Sequence, residues 1–282
     1  MYVSPQTLDM HMRVLRRHFE LVHLDDWIRE AAAGSRLPRV SCALTFDDGW
    51  RDNHEYAFPV LLRHRVPATI FLVSSLVGST VQFWPERLRT FLVTQPLDAP
   101  LPGRLGHLLA DVRARVRGKG GWTVEDLDLA ITAAKDLDDR TISETLSVWC
   151  AEESATASRK LLNAEEVTEM ASSGLIRFGS HTRTHHRCRD ASPDETLYDE
   201  IANSRDEIRG YSKKSVELFC FPDGAITARA LDLVRVHYLA AVTTRRGWHR
   251  RNRDRYQISR VGLHEDVSGT PAGLLGRLSC VF

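Results

Sequence analysis

Short apolar runs alternate along the chain with stretches whose apolar positions recur every three or four residues. That alternation predicts strands interleaved with helices, hence a parallel sheet with helices packed outside it. Leu8, Met12, Leu15 and Phe19 recur at helical spacing after Ser4-Pro5, a helix-start pair. Residues 41–46 read as a buried strand running out into polar residues, 53–64 as a helix and 68–73 as the next strand. A helix over 164–173 stops at Gly174, and 175–179 is again a strand. Then come a helix over 193–209 ending at Gly210, a strand over 216–221, a helix over 226–234 and a strand over 238–243. A last strand over 256–263 and a short helix over 271–278 close the series.

The rhythm breaks between Phe83 and Lys160, where no buried strand pattern stands out. Pro96, Pro100, Pro102 and Gly103 mark one loop, and Gly118, Gly120 and Gly121 another. The stretches between them are amphipathic at helical spacing, for example 127–137. The pattern predicts a mostly helical insertion over 84–160 inside one α/β domain spanning 1–282, with a separate domain as the other reading.

Composition narrows the class without choosing the function. The 282 residues carry 38 Lys+Arg against 37 Asp+Glu, a formal charge of +1, so no global field draws the chain to nucleic acid or an anionic membrane. The longest unbroken apolar run, Tyr238 to Val242, is five residues, far short of the roughly 18 a membrane helix needs. The opening Met-Tyr-Val-Ser-Pro-Gln has no basic region leading into an apolar stretch, which predicts a cytoplasmic chain. Cys42, Cys150, Cys188, Cys220 and Cys280 are odd in number, widely spaced and form no CxxC pair. They read as buried free thiols rather than a disulfide framework or a cysteine zinc site.

Two clusters carry candidate chemistry. Thr45-Phe46-Asp47-Asp48-Gly49 puts adjacent carboxylates where a strand ends in a glycine turn, and strand C-termini are where barrels and open α/β sheets build their sites. Two like charges this close call for a cation beside them; an ordinary Asp-Asp-Gly turn is the other reading. The second cluster, His181-Thr182-Arg183-Thr184-His185, follows the strand over 175–179. On a helical turn, residues four apart share a face, which would let both imidazoles reach one divalent ion. With a carboxylate they would make an open, catalytic type of site; an exposed helix start is the alternative. Trp50 and Trp84 could stack on sugar rings or anchor a core.

These residues resemble a known family. Ala43-Leu-Thr-Phe-Asp-Asp-Gly-Trp-Arg-Asp-Asn and Phe178-Gly-Ser-His-Thr-Arg-Thr-His are similar to the first two motifs of the polysaccharide deacetylases, carbohydrate esterase family 4. Pro67-Ala-Thr-Ile-Phe-Leu-Val fits the strand between them, and Phe219-Cys-Phe-Pro-Asp-Gly looks like the third motif. The resemblance implies a distorted (β/α)7 TIM-like barrel and metal-dependent removal of an N-acetyl group from an amino sugar. Carried over, it makes Asp48, His181 and His185 the ligands of a divalent metal, most often zinc, and Asp47 the general base. A backbone N–H near Asp223, in the Pro222-Asp223 turn, would help hold the oxyanion, and Thr182 would either orient a metal ligand or cap a helix.

The chain also departs from the family pattern. Many relatives carry an arginine in the third motif that orients the base; here that position is Cys220, and Arg260 on the last strand is the candidate replacement, or else pairs with a surface acid. His264 matches the place of the family's general acid, with a surface histidine as the alternative. Relatives often begin with an earlier strand, so the first strand is expected to be missing or shortened. Residues 245–255 hold six arginines, one aspartate and Trp248, either a patch for an anionic ligand or a solvated loop. The expected partner is an N-acetylated carbohydrate, with no nucleic acid. O-acetyl ester or other amide hydrolysis on the same site, and an inactive glycan-binding relative, are the alternatives.

Overall fold

A computed structural model describes residues 3–34, 40–101, 103–147 and 159–279. Pro102, Cys150 and Cys280, singled out above, lie outside the described residues. The chain divides into two compact units, Met1–Ser79 with Lys160–Phe282, and Thr80–Arg159.

The first unit is built on parallel strands. Strands β1 (Glu20–Leu21) and β2 (Ser41–Cys42) pair with each other, and a six-stranded parallel sheet runs β3 (Leu44–Phe46), β4 (Ala68–Leu72), β5 (Ile176–Ser180), β6 (Leu218–Cys220), β7 (Ala240–Arg246) and β8 (Ile258–Arg260) in sequence order. The predicted strand over 41–46 is thus one strand interrupted at Ala43: its first half pairs with β1 and its second with β4. Counting it once gives seven parallel strand positions among the described residues, the arrangement of a distorted (β/α)7 barrel. Strand β1 is only two residues long, too short to leave a periodic signal in the sequence.

Burial explains the strand pattern. All five residues of β4 are buried, which is why the strand reads as apolar but for Thr69. Phe71, Phe219 and Phe221 are among the largest fully buried side chains. Gly179 on β5 admits no side chain: a Cβ there would sit 2.5 Å from the Phe71 ring and 2.8 Å from the Leu218 carbonyl oxygen of β6. The first helix, Pro5–His18, starts as predicted, with Ser4 accepting from the Thr7 N–H and Pro5 in the first turn. Helix Ala164–Ser172 begins with a reciprocal Asn163/Glu166 capping box. The predicted helices over 53–64 and 193–209 each contain a wide π turn, Asn53–Ala57 and Asp199–Asn203. Cys42, Cys188 and Cys220 are free thiols; burial pushes Cys42 up to about 11 and Cys188 up to about 12.

The second unit contains the helices Trp84–Thr94, Gly103–Arg117, Val124–Ala134 and Asp139–Ser147. They bury a core of their own, including Leu88, Leu105, Leu109, Ala130, Ile142 and Leu146. Trp84 belongs to that core rather than to an open sugar platform. Among the described residues, no helix is long and apolar enough to cross a membrane.

Candidate metal centre and active site

The site is assembled at the C-terminal ends of β3, β5, β6 and β8. After β3 the chain turns sharply: Asp48 has φ 71° and Gly49 φ 74°. A Cβ on Gly49 would lie 2.5 Å from Leu72 Cδ2, so this turn needs glycine for space as well as conformation. The returning segment pins the turn, because Leu162 N–H donates to the Gly49 carbonyl at 2.9 Å and Arg51 N–H to the Lys160 carbonyl at 2.7 Å. This reversal puts the two adjacent carboxylates to different uses.

Asp48 faces the histidines. Its Oδ1 is 3.4 Å from His181 Nε2 and 3.5 Å from His185 Nε2, while Oδ2 accepts from Trp50 Nε1 at 3.1 Å. His181 is buried, and its Nδ1 donates to the Cys220 carbonyl oxygen at 2.8 Å. A carbonyl can only accept, so the proton is on Nδ1 and the lone pair is on Nε2, aimed at Asp48. The three ligand atoms lie within 4.8 Å of one another. Ligands held about 2.0–2.2 Å from a tetrahedral zinc ion sit roughly 3.3 Å apart, so the observed spacings fit such an ion.

The two histidines do not share a helical turn, contrary to the reading from their spacing. Residues 181–189 form an irregular loop in which Thr182 and His185 both have φ 64°. A left-handed conformation is unusual for a β-branched residue. It turns the chain so that the two imidazole rings meet edge to face, with centroids 5.0 Å apart. Thr182 is buried and caps no helix: its N–H donates to Ser180 Oγ, and its own Oγ1 accepts from the His186 N–H.

Asp47 is held on the other side. Arg260 donates to it twice, Nη1 to Oδ1 at 2.7 Å and Nη2 to Oδ2 at 2.8 Å. The guanidinium is itself fixed by the Thr243 carbonyl at 3.0 Å and Thr45 Oγ1 at 3.3 Å. Arg260 therefore reaches from the last strand of the sheet to the first, which no backbone ladder joins among the described residues. The Cys220 thiol lies beneath the pair, 3.6 Å from Asp47 Oδ1 and 3.3 Å from Arg260 Nη2. Burial raises the Asp47 carboxyl, but the Arg260 hydrogen bonds and the Arg260 charge outweigh it and hold the group below the usual carboxylate range. Burial, with the neighbouring Asp47 charge, pushes the Cys220 thiol well up, so it stays protonated.

The remaining predicted residues lie farther along the strand ends. Pro222–Gly224 is a tight turn after β6, with Asp223 at φ 55° and its carbonyl 3.5 Å from Thr244 Oγ1. The N–H groups of Gly224 and Ala225 donate to the Phe221 and Pro222 carbonyls, so these two amides are used inside the turn. His264 precedes the short helix Glu265–Ser268, and its Nδ1 is engaged by the Asp266 carboxylate. In the arginine-rich loop, Trp248 packs against Phe19 and donates to the Leu278 carbonyl, Arg251 donates to the Ala31 carbonyl, and Arg255 lies over the Tyr256 ring. The sequence reading missed Trp50 as the partner of Asp48, and Thr45 and Thr243 as the partners of Arg260. Nothing in their spacing marks them.

The fold and this cluster define an α/β barrel with a two-histidine, one-carboxylate candidate metal centre. The chain belongs to the polysaccharide deacetylase family, whose model matches residues 34–99 and 137–242, more than half of the sequence. A 79-residue stretch is 32% identical to the poly-β-1,6-N-acetyl-D-glucosamine N-deacetylase of Staphylococcus epidermidis, covering 28% of this chain and 27% of that protein. A 55-residue stretch is 38% identical to YxkH of Bacillus subtilis, covering 19% of this chain and 20% of that one. The matched stretches thus span about a quarter or less of these relatives. Among solved structures, the Streptococcus pyogenes deacetylase PplD has a TM-score of 0.62 at 16% identity, covering 98% of this chain and 87% of its own. IcaB from Ammonifex degensii gives 0.61 at 15% identity, covering 98% and 90%. These likenesses are to the fold.

Proposed function

We propose that this chain hydrolyses the N-acetyl group of an amino sugar in a glycan, glycolipid or glycan precursor, with a divalent metal, zinc first among the candidates, held by Asp48, His181 and His185. The observation that carries the reading is the division of labour between adjacent carboxylates: Asp48 within 3.5 Å of both imidazole Nε2 atoms, Asp47 gripped by Arg260. The similarity to a poly-N-acetylglucosamine N-deacetylase supports the choice of an amide on an amino sugar. A metal in this position supplies Lewis acidity toward a water molecule and the acetyl carbonyl.

The residues of the chain do the rest. Asp47, kept ionised by Arg260, accepts a proton as water adds to the acetyl carbon. Trp50 and the Cys220 carbonyl keep Asp48 and His181 in their ligating orientations. The carbon–nitrogen bond then breaks, and the departing nitrogen takes a proton from His264, giving acetate and a free amine. Asp266 on Nδ1 orients that imidazole so that Nε2 is presented.

The test is acetate release from N-acetylglucosamine oligomers by metal-loaded protein, with O-acetylated sugars in parallel. Acetate from the amides, lost in Asp47→Asn, supports the proposal. Release only from the O-acetyl esters would replace it with an esterase, and saccharide binding without acetate release would leave a glycan-binding protein.

A further inference from the structure

The loop that carries both candidate metal histidines is strained, and a buried acid outside it holds it in shape. Thr182 and His185 each adopt φ 64°, a left-handed conformation that a non-glycine residue keeps only where the surroundings impose it. Between them lie Arg183 and Thr184. Glu200, buried in the wide π turn Asp199–Asn203, takes both of their backbone N–H groups on Oε2, at 2.8 Å each. Its Oε1 takes the Thr184 hydroxyl at 2.6 Å. The opposite side of the loop is tied by backbone bonds, Ser74 N–H to the Thr182 carbonyl and Ser75 N–H to the Arg183 carbonyl. Glu207 and Asp199 take the Arg183 side chain.

We propose that Glu200 is a positioning residue for the metal centre: its carboxylate fixes the backbone of residues 183–184 and so sets the separation of the His181 and His185 imidazoles. Glu200 touches neither imidazole and acts only through the loop. Two amides converging on one oxygen use both of its lone pairs, and the carboxylate charge strengthens both bonds. A neutral amide side chain in the same place offers a weaker acceptor and cannot take the Thr184 hydroxyl through its NH2 end. The loop would then relax toward ordinary backbone angles and move His185 away from Asp48. The inference rests on the metal-centre reading given above.

The experiment is cobalt(II) titration of the metal-free parent and of Glu200→Gln, read by visible absorption and by competition with a chromophoric chelator. Thermal melts of both metal-free proteins accompany it. The expected result is a metal affinity ten- to a hundredfold lower in Glu200→Gln, with altered cobalt bands and a still cooperative metal-free melt. A folded Glu200→Gln with the parent's affinity and spectrum overturns the proposal. Should that variant not fold, Thr184→Val decides: it removes only the hydroxyl bond, and a several-fold loss of cobalt affinity is expected, whereas parent-like affinity overturns the proposal. A parent that binds no cobalt defeats the metal-centre reading instead, so the two failures are distinguishable.

Discussion

Arg260 meets Asp47 through two parallel hydrogen bonds of 2.7 and 2.8 Å, joining the end of the last strand of the sheet to the turn after the first. The pair does two things at once. It bridges a seam that backbone pairing leaves open, and it keeps a carboxylate charged despite partial burial. A planar fork is needed for both contacts, and the Thr243 carbonyl and Thr45 hydroxyl fix its plane.

Arg260→Lys is therefore not conservative here. A point charge replaces the fork, Asp47 gains rotational freedom, and kcat falls about a hundredfold while bound metal stays at the parent level. Steady-state kinetics with metal analysis on the same sample check this. A kcat within a factor of two of the parent would show that the bidentate contact does not matter.

In the proposed reaction His264 donates the proton to the leaving nitrogen. His264→Gln should lower kcat by roughly a hundredfold or more with unchanged metal content, and the loss should shrink for a substrate whose leaving group needs no proton. An activated aryl ester of acetate is such a substrate. Equal losses on the amide and the ester would remove His264 from the acid role.

Glu265 links the two ends of the barrel unit. Its carboxylate accepts from the Ser4 N–H at 2.8 Å and the Thr7 hydroxyl at 2.6 Å, and these bonds hold its pKa below the usual value. A depressed folded pKa means stability that is complete above the unfolded value of about 4.3 and is lost as pH falls through the folded one. Glu265→Gln should melt lower than the parent at neutral pH, and the gap should close in acid. Melting curves across that range check it; a constant gap would contradict the linkage.

Gly179→Ala tests the packing under the histidine loop. The added methyl meets the Phe71 ring and the Leu218 carbonyl oxygen, and the latter belongs to the β6 backbone and cannot swing aside. A loss of about 1–3 kcal/mol is expected from denaturant unfolding. A neutral effect would mean that β5 and β6 can separate without cost.

Much of this was legible in the sequence because buried parallel strands advertise themselves. Strand β4 is apolar but for Thr69, β7 opens on the apolar Ala240, Ala241 and Val242, and the polar residues that end β3 and β5 stand at the places where a barrel builds its site. The pairing of Asp48, rather than Asp47, with both histidines was expected from the family resemblance. What the sequence hid was of two kinds. The two-residue β1 is too short for periodicity, and the contacts of Trp50, Thr45, Thr243 and Glu200 depend on tertiary folding, with no local pattern to reveal them. The four-residue spacing of His181 and His185 suggested a helical turn. Two left-handed residues bring the rings together instead, because the Glu200 carboxylate and the Ser74 and Ser75 amides hold the loop backbone in a non-helical path.

The central claim is that Asp48, His181 and His185 hold one divalent ion needed for amide hydrolysis. Its most direct test is elemental analysis of the purified protein and of His181→Ala, each assayed for acetate release before and after chelation and zinc restoration. The account predicts about one equivalent of metal in the parent, little in the variant, and activity that disappears with the chelator and returns with zinc. Acetate release that persists in a metal-free parent, or a metal content unchanged by His181→Ala, would contradict it.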